Sequence, residues 1–146
     1  MEKILISACL VGDKTRYDGK GCYNPLVKEL LTKYELVPFC PEVEGGLKTP
    51  RKKNERSRNE VYNEDYVKVT KEFNLGASKA LSICKYLNIK VAILKEDSPS
   101  CGTHTIYNGL FQDRKVRGMG ITAELLKKNN IRTISENEIT DFLKEK

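Results

Sequence analysis

Three cysteines follow closely behind three apolar runs. Ile4-Leu5-Ile6-Ser7-Ala8 leads into Cys9, and Leu36-Val37-Pro38-Phe39 leads into Cys40. Lys90-Val91-Ala92-Ile93-Leu94 leads, after Lys95-Glu96-Asp97, into Ser98-Pro99-Ser100-Cys101-Gly102. A thiolate is both a nucleophile and a metal ligand. In loops built on Gly and Pro, packing does not account for it. The spacings of 31 and 61 residues rule out the local Cys-x-x-Cys knuckle of structural zinc, so the whole fold must assemble the three. Gathered, they could hold zinc with a fourth ligand, or an iron–sulfur cluster. A cubane cluster takes one cysteine per iron. Three cysteines leave one iron open to bind substrate as a Lewis acid, which electron carriage does not need. We read Cys9, Cys40 and Cys101 as ligands of a metal cluster. Two further ligands stay open: Cys22, between Gly21 and Tyr23, and His104, the one histidine. Cys84 shares a helical stripe with Phe73, Ala77, Ala80, Leu81 and Leu87 and reads as a small core residue.

The same loops carry acid–base groups. Glu42 and Glu44 stand two and four residues after Cys40; Ser98 and Ser100 stand three and one before Cys101. A carboxylate and a hydroxyl facing one pocket could activate water and carry protons. Arg16, Tyr17, Asp18 and Arg51 are candidates to orient a polar substrate.

The elements that must position these residues alternate. Strands are expected over Ile4–Ala8, Glu35–Phe39, Lys90–Leu94 and Ile131–Ile134, their continuous apolar runs suiting strands buried on both faces. Helices are expected from Asn24-Pro25 to about Lys33, over Thr70–Tyr86, from an N-cap at Thr122 to Lys128, and after the capping box Ser135-Glu136-Asn137-Glu138. The stretch from Lys52 to Asp65 is charged and aperiodic, a lid or an excursion with a short strand near Val61-Tyr62. A hairpin is expected around Asn108-Gly109. This order gives an α/β fold: a mostly parallel sheet of about four strands with helices on both faces, a Rossmann-like three-layer sandwich. It forms one domain over residues 1–146, with the cysteines at the carboxyl edge of the sheet, where such folds bind ligands. No Walker A loop or glycine-rich dinucleotide fingerprint follows a strand.

The length suits one domain with its own core. No apolar run reaches the roughly 18 residues of a transmembrane helix, and the start has no secretory signal. The expected location is the cytoplasm, where five cysteines remain thiols or metal ligands rather than disulfides. The net charge is +6, and six basic residues crowd between Lys48 and Arg58. Such a run attracts anions or forms a solvated surface. Without Trp and with scattered tyrosines the chain offers no stacking platform for single-stranded nucleic acid.

Five motifs together resemble the thiouracil desulfidase family of bacteria and archaea over nearly the full length: Ser7-Ala8-Cys9-Leu10-Val11-Gly12, Arg16-Tyr17-Asp18-Gly19, Cys40-Pro41-Glu42-Val43-Glu44-Gly45-Gly46-Leu47, Thr49-Pro50-Arg51 and Ser98-Pro99-Ser100-Cys101-Gly102. The resemblance implies a [4Fe-4S] cluster on Cys9, Cys40 and Cys101 with one open iron. It further implies a thiolated pyrimidine as substrate, hydrogen sulfide as product, and Glu42 (or Glu44) and Ser98 as proton carriers. Arg16, Tyr17, Asp18, Glu44, Ser100 and Arg51 are then expected near the substrate. The sequence departs from the family at Tyr107-Asn108-Gly109, where Tyr-Asp-Gly is commoner, and in the basic run Lys52 to Arg58. Two other readings compete: a zinc- or cysteine-persulfide-dependent sulfur handler, and a nucleic-acid-binding module using the basic run.

Overall fold

The computed structural model describes residues 1–145. Its centre is a four-stranded, all-parallel sheet in the order β2-β1-β5-β8, with β1 Glu2–Ser7, β2 Tyr34–Phe39, β5 Val91–Leu94 and β8 Arg132–Ser135. The two inner strands are the apolar ones. Ile4, Leu5 and Ile6 of β1 and all of β5 are buried. Alternation sends Ile4, Ile6 and Ile93 to one face and Leu5, Ala92 and Leu94 to the other. The outer strands carry the polar residues, and Pro38, which has no amide to donate, lies on edge strand β2.

The first face is covered by α1 (Val27–Leu31) and α5 (Ile139–Lys144) through Val27, Leu30, Ile139 and Phe142. The second is covered by α3 (Thr70–Tyr86) and α4 (Ile121–Lys128) through Ala80, Cys84, Ala123 and Leu126. Cys84 is a buried core residue, as its stripe predicts. The chain leaves β1 to one side for β2 and then crosses to the other side for β5. The carboxyl ends of β1 and β5 therefore flank a topological switch point, where a parallel sheet opens a crevice. Among the described residues no helix is long and apolar enough to cross a membrane.

Several boundaries differ from expectation. Asn24 does not cap α1 directly: its Oδ1 accepts from the Leu26 amide at 2.9 Å in a tight turn, and the helix starts at Val27. Thr122 is not the N-cap of α4. Gly120 is, because its Cα packs on the Ser100 carbonyl carbon, leaving 2.4 Å to an added Cβ. The capping box at Ser135 and Glu138 forms, but around one 3-10 turn that precedes α5. The charged stretch after Lys52 is not a lid but holds the strand expected near Val61-Tyr62, now paired with a second one. It is an antiparallel hairpin, β3 (Asn54–Ser57) and β4 (Glu60–Asn63). A second hairpin, β6 (Thr105–Tyr107) and β7 (Lys115–Arg117), brackets Asn108-Gly109.

One missed element matters most for the site. A single helical turn, α2 (Pro41–Glu44), follows Cys40 and packs against α3. The approach is very close: a Cβ on Gly76 would stand 1.9 Å from the Pro41 carbonyl oxygen, and one on Gly45 would stand 2.0 Å from that of Glu72. Only hydrogens fit between these backbones. Gly76→Ala should therefore destabilise the protein although alanine is the better helix former by about 1 kcal/mol. Overpacking costs about 1–3 kcal/mol beyond that gain, so the melting temperature should fall by several degrees, roughly 3 °C per kcal/mol. Ser78→Ala on the exposed face of α3 should leave it unchanged. Thermal unfolding of the two variants reads the difference directly, and a more stable Gly76→Ala protein would refute the close packing.

Candidate active site

Each cysteine loop departs from the carboxyl end of a sheet strand. Cys9 lies in a 3-10 turn (Ala8–Val11) that starts where β1 stops, and Gly12, at φ 100°, closes that turn. Cys40 is the N-cap of α2, directly behind β2. Cys101 follows β5 in a turn closed by the Gly102 amide on the Ser98 carbonyl, 2.8 Å. All three line one cavity of about 210 Å³. Among the described residues no three His, Cys, Asp or Glu side chains are gathered tightly enough for a single metal ion. One water takes about 30 Å³ of liquid volume, so the cavity has room for a group of many atoms. Three soft thiols spread around such a space fit a polynuclear iron–sulfur group better than a lone ion.

Burial and hydrogen bonds both shift these thiols. Burial raises the Cys40 thiol against hydrogen bonds from the Val43 and Glu42 amides, and it pushes Cys101 up to about 12 against bonds from Ser7 and Ser100. Cys9 is raised first by its hydrogen bond with Cys22 and then by burial. That bond, with Lys95 and Arg16 nearby, lowers Cys22 to about 7. Cys22 lies outside the cavity lining, half-buried against the Ile4–Ile6 face of the core. His104 is exposed and pairs with Glu138 at 2.7 Å, also away from the cavity.

Glu42 is buried on the cavity wall, whereas Glu44 is exposed and does not reach it. Helical geometry separates them: two residues along one turn point to opposite sides. Arg51 Nε donates to Glu42 Oε1 at 3.1 Å. Ser100 Oγ donates to Glu42 Oε2 at 3.0 Å and lies 3.0 Å from Ser98 Oγ. A serine has one hydroxyl proton. With Ser100 giving its proton to the carboxylate, Ser98 must donate to Ser100, so the chain runs Ser98 to Ser100 to Glu42. The Ser98 oxygen is held from behind by the Ser100 and Cys101 amides at 3.2 and 3.1 Å.

Of the other expected residues, Arg16, Tyr17 and Arg51 line the cavity. Arg51 also donates to the Thr15 carbonyl at 3.0 Å. Asp18 does not line it and instead stands 3.6 Å from Arg16. Among the lining residues that escaped the sequence reading as site residues are Lys53, just before β3, Asn54, its first residue, and Tyr107 at the end of β6. Lys53 Nζ stands 4.9 Å from the centre of the Tyr107 ring. Their only sequence signal was the departure from the family pattern in these same two stretches. The basic run is divided in its roles. Arg51 and Arg56 turn inward onto Glu42 and Glu124, while Lys48, Lys52 and Arg58 are exposed.

Comparison with known proteins agrees with this geometry. The chain is 39% identical over 150 residues to the uncharacterized protein YbbK of Bacillus subtilis (strain 168), covering 96% of this chain and 99% of that one. It also matches a solved structure described as the [4Fe-4S]-dependent thiouracil desulfidase TudS, with 42% identity, a TM-score of 0.92, and coverage of 97% of this chain and 95% of that one. A family model described as 2-thiouracil desulfurase matches residues 4–138, and with that match this chain belongs to the 2-thiouracil desulfurase family.

Proposed function

We propose that this chain is a [4Fe-4S]-dependent desulfidase. It converts a thiolated pyrimidine and water into the oxo-pyrimidine and hydrogen sulfide, with Cys9, Cys40 and Cys101 as the cluster's three protein ligands. The observation that carries the reading is the meeting of three thiols and one carboxylate–serine chain on a single cavity. Five free cysteines suit a cytoplasmic enzyme, since thiols stay reduced in that compartment. When bound, a cluster held by three thiolates supplies an iron without a protein ligand, a Lewis acid with affinity for thione sulfur.

The chain's own residues supply the proton chemistry. Replacing C=S by C=O with water moves two protons to sulfur and no electrons, so acid–base groups suffice. Ser98 faces the reacting carbon, takes a proton from the attacking water and passes its own to Ser100, which passes one to Glu42. The same line returns that proton to the departing sulfur, and the second comes from the hydroxyl left on carbon as the carbonyl forms, giving hydrogen sulfide. Arg51 fixes Oε1 of Glu42, which leaves Oε2 as the proton-carrying oxygen. Arg16, Tyr17 and Tyr107 border the space left for the pyrimidine.

Protein reconstituted without oxygen should hold about four iron and four sulfide per chain. Cys9→Ala, Cys40→Ala and Cys101→Ala should each lose them, whereas Cys22→Ala and Cys84→Ala should not. Removing iron with a chelator should abolish sulfide release from thiouracil. Activity that survives iron removal would instead favour a persulfide or zinc mechanism.

Ser100→Ala should lower kcat by about a hundredfold, the lower range of a lost acid–base group, with iron content unchanged. Ser98→Ala should do the same, and the double variant should cost no more than the worse single one, because members of one relay act as a unit. Additive losses in steady-state kinetics would contradict a shared proton line.

A further inference from the structure

The cavity has two kinds of wall. The cysteine loops are extensions of the central sheet. The opposite wall, with Lys53, Asn54 and Tyr107, comes from the β3–β4 and β6–β7 hairpins, which are separate two-stranded sheets. Two-stranded hairpins are marginal alone, so the position of that wall depends on what joins them. The near end of β6 is anchored to the Cys101 loop: Asp97 bridges to Ile106, and its Oδ1 accepts from Thr105 Oγ1 at 2.5 Å.

At the far end the best-buried tie is one side chain. Glu55, on β3, is 2% exposed. Its Oε1 accepts from the Gly109 amide at 2.9 Å and the Phe111 amide at 3.1 Å. Gly109 lies against β3 so closely that a Cβ would stand 2.8 Å from the Arg56 carbonyl oxygen. Gly109, Phe111 and Asp113 all have left-handed φ, at 87°, 54° and 59°. For Phe and Asp that conformation is strained and persists only where surrounding contacts over-determine it. The other ties across this joint are the Tyr66–Phe111 edge contact and the Lys53–Asp113 pair, with Tyr66 and Asp113 exposed. The second Glu55 oxygen, Oε2, is buried with no hydrogen-bond partner. An unpaired carboxylate oxygen costs free energy in a protein interior, and nothing in the core packing needs an acid here.

We propose that Glu55 is a positioning residue for substrate specificity: by clamping the 109–111 backbone to β3 it sets the gap between Lys53 and Tyr107 and so the fit of the pyrimidine ring. The inference rests on the desulfidase reading and deepens it. Among the described residues Glu55 hydrogen-bonds to the 109–111 backbone and to none of the cysteine loops, so it acts on substrate binding rather than on the cysteines.

The experiment compares Glu55→Ala, Glu55→Gln and Gly109→Ala with the parent, using thiouracil as substrate. The glutamine keeps the Oε1 acceptor and leaves the orphan count unchanged. Glu55→Ala should raise KM about tenfold with kcat within about threefold, the signature of lost binding rather than lost chemistry, at unchanged iron content. Glu55→Gln should restore KM. Gly109→Ala, which pushes the same joint apart from the other side, should reproduce the alanine phenotype and decides the matter if Glu55→Ala does not fold. Hydrogen exchange at the Gly109 and Phe111 amides should quicken about tenfold in Glu55→Ala, matching the loss of roughly one hydrogen bond, and stay slow in Glu55→Gln. Equal loss of kcat and iron, or an unchanged KM with quickened exchange, would overturn the positioning role. If the parent itself did not process thiouracil, the desulfidase reading would fail while hydrogen exchange still judged the clamp.

Discussion

The buried pair of Glu42 and Arg51 ties the site together. Its two side chains reach all three cysteine loops. Glu42 sits on the Cys40 turn and accepts from Ser100 of the Cys101 loop. The Arg51 guanidinium donates to the Thr15 carbonyl, and its amide donates to the Tyr17 carbonyl at 2.8 Å, both in the loop after Cys9. A buried ion pair of this kind contributes little net stability, because desolvation offsets the attraction, but breaking one partner costs about 3–5 kcal/mol. Its value is geometric. A planar guanidinium with a fixed fork of donors holds a carboxylate in one orientation, and here that orientation leaves Oε2 to accept from Ser100. The three loops are thus fixed relative to one another by polar contacts, while the sheet fixes only where each begins.

This division explains what could be read from the sequence. The four strands and the helix Thr70–Tyr86 were legible because burial on both faces of a parallel sheet, or on one stripe of a helix, imposes an apolar pattern on contiguous residues. Convergence of Cys9, Cys40 and Cys101 was legible for the same reason, since parallel strands end on one edge. The turn signal Asn108-Gly109 marked the β6–β7 hairpin, whereas of β3–β4 only the short strand near Val61-Tyr62 was legible. The β3–β4 pair is written in charged residues, and long-range contacts anchor it: Arg56 to Glu124 at 2.5 Å, and Val61 and Val69 onto Phe73 of α3. Such contacts leave no local period.

The acid–base groups show the same limit. Ser100 was expected near substrate, yet its hydroxyl is committed between Glu42 and Ser98. Asp18 and Glu44 share motifs with cavity residues but point elsewhere, since motif membership fixes a stretch of backbone and the turn decides each side chain. Glu42 and Glu44 illustrate this within one turn of α2. Lys53 and Tyr107 stand 54 residues apart in the chain, and the pairing between them exists only once both hairpins have docked.

The basic run, which invited a nucleic-acid reading, is better understood through its partners. Two of its arginines are among the most structurally committed side chains in the molecule, one on Glu42 and one bridging Glu124 and the Met119 carbonyl. Guanidinium was required there for its several donors, and lysine could not have made the same contacts. Positive charge at Arg51 and Arg56 therefore fastens this polar stretch to the rest of the fold, while Lys48, Lys52 and Arg58 stay exposed. The cysteine-bearing wall grows directly from a parallel sheet, and the facing wall is attached through polar joints. Changes in those joints can reshape the pocket without disturbing the cysteines.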